Sequence, residues 1–125
     1  MTLVFDSGAL IALDRNDRAM WRRLKSAFLA GEIPITHGGV VGQAWRGGPR
    51  SALLAKALDG VDVRPLDRDL GKRAGELLAR TKKSDVIDAA LVLLASDGDA
   101  IVTSNAGDLE TLARAAGRLI DLIEA

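Results

Sequence analysis

The stretch Lys82-Lys83-Ser84-Asp85-Val86-Ile87-Asp88-Ala89-Ala90-Leu91-Val92-Leu93-Leu94-Ala95 constrains this fold more than any other. It reads as a helix that opens on carboxylates and then turns almost wholly apolar. Ser84 is a suitable N-cap, and Asp85 falls in the first turn, where free amide groups and the helix dipole favour an anion. From Ala89 to Ala95 there is no polar residue, so the helix is apolar all round and is expected to be buried. Asp85 and Asp88 are three residues apart and share roughly one face. A carboxylate at the mouth of a buried helix is costly to desolvate unless a cation meets it.

The rest of the chain supplies cover for that helix. Thr2-Leu3-Val4-Phe5 is a short β-prone apolar run without alternation, as expected of a strand buried on both faces. It ends at Asp6-Ser7, either of which can cap the short helix Gly8 to Leu13. Asn16 or Asp17 starts an amphipathic helix to about Ala30, with Met20, Trp21, Leu24, Ala27 and Phe28 inward and Arg18, Arg22, Arg23 and Lys25 outward. Ile33 to Thr36 is a second strand, with Pro34 suited to its start or to an edge, and His37-Gly38-Gly39 is read as the turn after it. A lone His is weak evidence for metal or base chemistry, so His37 is assigned to turn or packing.

Helices follow at Val40 to Arg46 and Arg50 to Leu58, separated by Gly47-Gly48-Pro49. The alternating run Val61 to Leu66 suggests an exposed edge strand. Asp67 caps a helix with Leu70, Ala74, Leu77 and Leu78 inward. After the buried helix come a strand at Ala100 to Thr103, a capping box with Asp in place of Glu at Asn105 to Asp108, a helix to about Ala116, and a last strand at Leu119 to Ile123. Strands alternating with helices imply a mostly parallel sheet covered on both faces. The expectation is one three-layer α/β/α domain over residues 1–125.

Composition narrows the functions open to such a domain. Acidic and basic residues balance at 17 each, so no global field draws a polyanion, and any nucleic-acid binding must come from a local patch. Two Trp, two Phe and no Tyr argue against a base-stacking platform. With no Cys, disulfides and thiolate metal sites are excluded. No apolar run approaches the ~20 residues that cross a membrane, and a cytoplasmic protein is expected.

The polar residues then assemble. Asp6 follows one apolar strand and Thr103-Ser104-Asn105 another, while Asp85 and Asp88 open the helix just before the second. Neighbouring strands at a topological switch point bring such ends to one crevice. Clustered carboxylates that stay ionised call for divalent cations, and oxygen ligands suit Mg²⁺ or Mn²⁺. Such a metal activates water and stabilises charge on a phosphodiester, which points to hydrolysis of a nucleic-acid backbone.

Three segments carry a family resemblance: Val4-Phe5-Asp6-Ser7-Gly8-Ala9-Leu10-Ile11-Ala12, Asp85-Val86-Ile87-Asp88-Ala89-Ala90, and Ile101-Val102-Thr103-Ser104-Asn105-Ala106-Gly107-Asp108-Leu109. In this order they resemble the PIN-domain family, and the length resembles the VapC-type toxins of bacterial toxin–antitoxin pairs. The resemblance implies a five-stranded sheet in the order 3-2-1-4-5, a metal-dependent endoribonuclease, a homodimer, and a cognate antitoxin as inhibitor. Asp6 matches the family's first acid and Asp85 its acid at the start of the long helix, with Asp88 as an additional carboxylate. The family usually carries a Glu in the helix after the second strand, where this chain has Gln43, and often an acid where it has Asn105, followed by Asp108.

The resemblance thus implies that Asp6 and Asp85 hold Mg²⁺ or Mn²⁺, that Asp88 or Asp108 completes the shell or orients water, and that Gln43 and Asn105 give hydrogen bonds. Arg15, Arg46, Arg50, Lys82 and Lys83 are candidates for RNA phosphate contact. The loss of two charges at Gln43 and Asn105 weakens metal binding and supports a second reading, a degenerate PIN domain that binds RNA or a partner protein without cutting. Purely structural roles stand beside these: Asp85 as a dipole partner, Asn105 with Asp108 as a capping pair, and Asp88 paired with Lys82, Lys83 or Arg46. A phosphoacceptor receiver domain is similar in length and alternation. It needs an acidic pair after the first strand and a Lys near the last, and this chain has a single Asp there and no Lys after Lys83.

Overall fold

Five strands form the sheet in a computed structural model that describes residues 1–125. They are β1 (Leu3–Phe5), β2 (Ile35–His37), β3 (Asp62–Arg64), β4 (Ala100–Thr103) and β5 (Asp121–Glu124). Their order is β3-β2-β1-β4-β5, and every neighbouring pair is parallel. Helices α1 (Ser7–Asp14), α2 (Arg18–Leu29), α3 (Gly38–Ala44), α4 (Ala52–Leu58), α5 (Arg68–Thr81), α6 (Val86–Leu94) and α7 (Ala106–Ala115) flank it. α1 packs against α2, α3 and α4, whereas α5, α6 and α7 pack against one another, so two helical layers enclose the sheet.

Apolar strands occupy the middle because only there are both faces covered. β1 and β4 are buried at every residue, and β3, at the edge, is exposed throughout. Phe5 pairs with Val102, which sets the ends of β1 and β4 side by side. The strand order reverses between them, the switch point at which α/β folds open a crevice beyond the carboxyl ends.

Helix α6 is buried as its sequence requires, with Ala89, Ala90, Leu91 and Val92 fully enclosed. Its N-cap is Asp85 rather than Ser84: the Asp85 Oδ1 accepts from the amides of Ile87 at 2.9 Å and Asp88 at 3.2 Å. Lys82 ends α5 in the left-handed conformation (φ 59°) and turns the chain toward that cap. Asp17, not Asn16, caps α2 through the Met20 amide.

Four local expectations are corrected. Gly48–Ser51 forms a 3₁₀ turn before α4, so the helix expected from Arg50 begins at Ala52. Phe28, expected on the inward face of α2, is 73% exposed. His37 is the last residue of β2 and fully buried, not part of a surface turn. The Asn105 side chain makes no capping bond to α7, so there is no capping box.

Candidate active site at the switch point

Asp6 leaves β1 with its amide still bonded to the Val102 carbonyl (3.0 Å), so its backbone continues the ladder while its side chain begins the site. Its Oδ1 accepts from the Ser7 amide at 2.7 Å and caps α1; its Oδ2 accepts from the Thr103 hydroxyl at 2.7 Å. The residue is 4% exposed, and two donors offset the cost of burying its charge. Thr103 in turn accepts from the Asn105 amide at 2.9 Å, so one hydroxyl fixes both the acid and the turn after β4. A close approach completes this joint: a Cβ on Gly8 would lie 2.8 Å from the Ser104 Cβ and 2.9 Å from its backbone nitrogen.

Asp88, one turn into α6, is 7% exposed and belongs to no ion pair. Its carboxyl is pushed up to about 7, first by burial and then by the charges of Asp85, Asp6 and Asp108. Asp85, Asp6 and Asp108 therefore lie within electrostatic reach of Asp88. The pairing of Asp88 with Lys82, Lys83 or Arg46 does not occur. Lys83 pairs instead with Asp108, Nζ to Oδ1 at 2.8 Å, and the Asn105 side-chain Nδ2 donates to the other Asp108 oxygen at 3.3 Å. Those two contacts hold the Asp108 carboxyl below its ordinary range.

His37 has the packing role that the sequence assigned to it, and the structure supplies its partners. Its Nδ1 accepts from the Gly39 amide at 3.1 Å, so Nε2 carries the hydrogen and donates to the Ile87 carbonyl at 2.9 Å. That bond ties the end of β2 to the first turn of α6. Burial keeps the imidazole's pKa low, against the opposing effects of the Ile87 carbonyl, Asp6 and Asp85. An apolar strand ending in a single His gives no signal that could have located this clasp.

Lys82, Lys83, Asp85, Asp88 and Asp108 line a cavity of about 150 Å³. The donors are hard carboxylate oxygens, and Asp88 is an acid whose ionisation the surrounding charges oppose, so the chemistry of the group fits a divalent cation. No three Asp, Glu or His side chains are already gathered as a metal cage. Without one, the arrangement still holds an acid–base group poised near neutrality, since Asp88 can take or give a proton around pH 7.

Neither Asp6 nor Gln43 lines that cavity. With Arg15, Arg46 and Arg50, Gln43 lines a separate cavity of about 240 Å³ between α1, α3 and the 3₁₀ turn, joined by Asp14, which the sequence did not single out. The expected phosphate-contact residues thus divide into two groups, lysines beside the acids and arginines behind α1. A larger hollow of about 380 Å³ beside α7 and β5 contains none of these residues.

No family model and no curated protein matches the chain. Among solved structures it is similar to a chain of VapBC2 from Rickettsia felis, seen in a crystal structure of that complex bound to a DNA fragment from their promoter. The TM-score is 0.68 at 12% sequence identity, and 98% of each chain is covered. From end to end, the chain has a PIN-like α/β/α fold.

Proposed function

We propose that this chain is a Mg²⁺- or Mn²⁺-dependent endoribonuclease, the toxin of a VapBC-type pair. It would act in the cytoplasm as a homodimer, restrained by a cognate antitoxin. The observation that carries this reading is the group of acids at the switch point, where burial and three neighbouring carboxylates raise Asp88 to about 7. The fold likeness to VapBC2 supports the toxin–antitoxin setting.

Asp6, Asp85 and Asp88 are the residues that would hold the ion. Bound there, a divalent cation supplies an activated water and stabilises charge on the phosphodiester. Thr103 keeps the Asp6 carboxylate in one orientation through its hydroxyl. His37 fixes the turn of α6 that carries Asp88. Asp88, whose carboxyl burial and the neighbouring acids push up to about 7, would give up its proton to take the ion. Lys82, at the rim, and Lys83 meet the RNA phosphates.

Purified protein incubated with structured RNA tests this. Cleavage should require Mn²⁺ or Mg²⁺, stop in chelator, and fall at least about a hundredfold in Asp6→Asn and in Asp85→Asn, the scale of losing a group that acts in the transition state. Cleavage that persists in both variants or in chelator removes the enzyme reading.

A second reading is a non-catalytic PIN domain that binds RNA or a partner. It is favoured by the location of Gln43 in another cavity and by the absence of three gathered acids. Silence of the wild type with every metal, together with RNA binding that persists in chelator, would establish it.

A further inference from the structure

The cavity between α1, α3 and the 3₁₀ turn has an unusual lining. The Oε1 of Gln43 is the one buried side-chain polar atom in the chain without a hydrogen-bond partner. A carbonyl oxygen in that state calls for an N–H donor. Beside it, Asp14 accepts the Leu54 amide on Oδ1 at 3.1 Å and offers its other oxygen.

Three arginines share the cavity, and none of them forms an ion pair, even with Asp14. Arg46 donates through Nη1 to the carbonyls of Trp45 (2.7 Å) and Gly42 (3.4 Å), which pins it over the end of α3 and leaves the rest of its guanidinium free. Three cations against one carboxylate make a local positive site on a chain of zero net charge. Arginine forks suit phosphate oxygens.

We propose that this cavity is a nucleotide subsite, taking a phosphate of single-stranded RNA on Arg15, Arg46 and Arg50 and an amino-bearing base, cytosine, adenine or guanine but not uracil, on Gln43 and Asp14. An amide oxygen and a carboxylate are both acceptors. Cytosine N4, adenine N6 and guanine N2 offer N–H donors to them, whereas uracil presents the carbonyl O4 where cytosine carries N4. Unstacked bases of single strands are read through such edge contacts. The position fits a strand that also reaches the acids: α1 starts beside Asp6, and Asp14 lies about 12 Å further along its axis at 1.5 Å per residue. The subsite rests on the reading of RNA as ligand and adds a base preference to it.

Binding in chelator separates this from cleavage. Labelled homopolymers of roughly eight nucleotides, within the range of single-strand sites, would be titrated by fluorescence anisotropy. Wild type should bind oligocytidylate or oligoadenylate about tenfold more tightly than oligouridylate, the scale of one good base contact. Gln43→Met should remove that margin without weakening oligouridylate. The exposed pair Arg15→Ala with Arg50→Ala should weaken all three alike and flatten the salt dependence by about 0.7 for each phosphate no longer neutralised.

Equal wild-type affinity for the three homopolymers overturns the subsite. An unchanged salt slope in the arginine double variant does so too, even if Gln43→Met fails to fold. A protein that shows the base order yet never cuts keeps the subsite and loses the nuclease; one that cuts without base order, indifferent to these arginines, does the reverse.

Discussion

Asp88 is where burial and charge conflict most directly. Its folded pKa, about 7, lies above the value of a free carboxyl because burial, then Asp85, Asp6 and Asp108, disfavour its ionised form. A raised acid stabilises the fold while protonated. That benefit is complete below the unfolded value near pH 4 and disappears as pH climbs through 7, at a cost on the order of 4 kcal/mol for full ionisation. Asp88→Asn keeps the shape and removes the charge. In chelator it should melt close to wild type at pH 5 and several degrees higher at pH 8.5, by circular dichroism. Equal shifts at the two pH values would show that the fold does not oppose this ionisation.

Among the elements, α6 and the β1–α1 joint were legible because each obeys a local rule. An apolar run with no polar side needs burial, and a carboxylate after a strand finds the free amides of the next helix. The exposure of Phe28, the partners of His37 and the cavity of Gln43 were not legible. Helical periodicity assigns Phe28 a face but does not say whether a neighbour covers it. His37 depends on a carbonyl fifty residues away. Gln43 stands on the expected helix, yet the packing of α3 on α1 sets its side chain in a cavity with three arginines and Asp14. Gly8 is a further contact the sequence hides, and it separates propensity from packing. Ala is the better helix former by about 1 kcal/mol, but at Gly8 its Cβ meets the Ser104 backbone at 2.9 Å, and overpacking costs roughly 1–3 kcal/mol. Gly8→Ala should therefore lower the urea midpoint. Gly71→Ala in α5, where nothing lies within 4 Å of the added carbon, should raise it by its propensity. A gain at both positions would mean that the β1–α1 joint has slack.

At the scale of the whole molecule, balanced charge conceals separation. The acids collect beyond the ends of β1 and β4 with Lys83 paired to only one of them, Asp108, while Arg15, Arg46 and Arg50 gather around the other cavity without an ion pair. Keeping the acids together destabilises the apo fold electrostatically, and a divalent ion that binds only the folded state restores that free energy by mass action. At a hundredfold excess over its dissociation constant the gain is about 2.7 kcal/mol, or roughly 10 °C in melting temperature for a domain of this size. On the nuclease reading, Mn²⁺ should raise the melting temperature by that order and EDTA should reverse it. The shift should be larger at pH 8 than at pH 6, because Asp88 must lose its proton to meet the ion. Asp6→Asn and Asp85→Asn should each remove most of it, whereas Arg15→Ala, in the other cavity, should leave it intact. A shift that survives in both aspartate variants would place the ion elsewhere, and the switch-point acids would then have only their structural roles, capping α1 and α6 and tying β1 to β4.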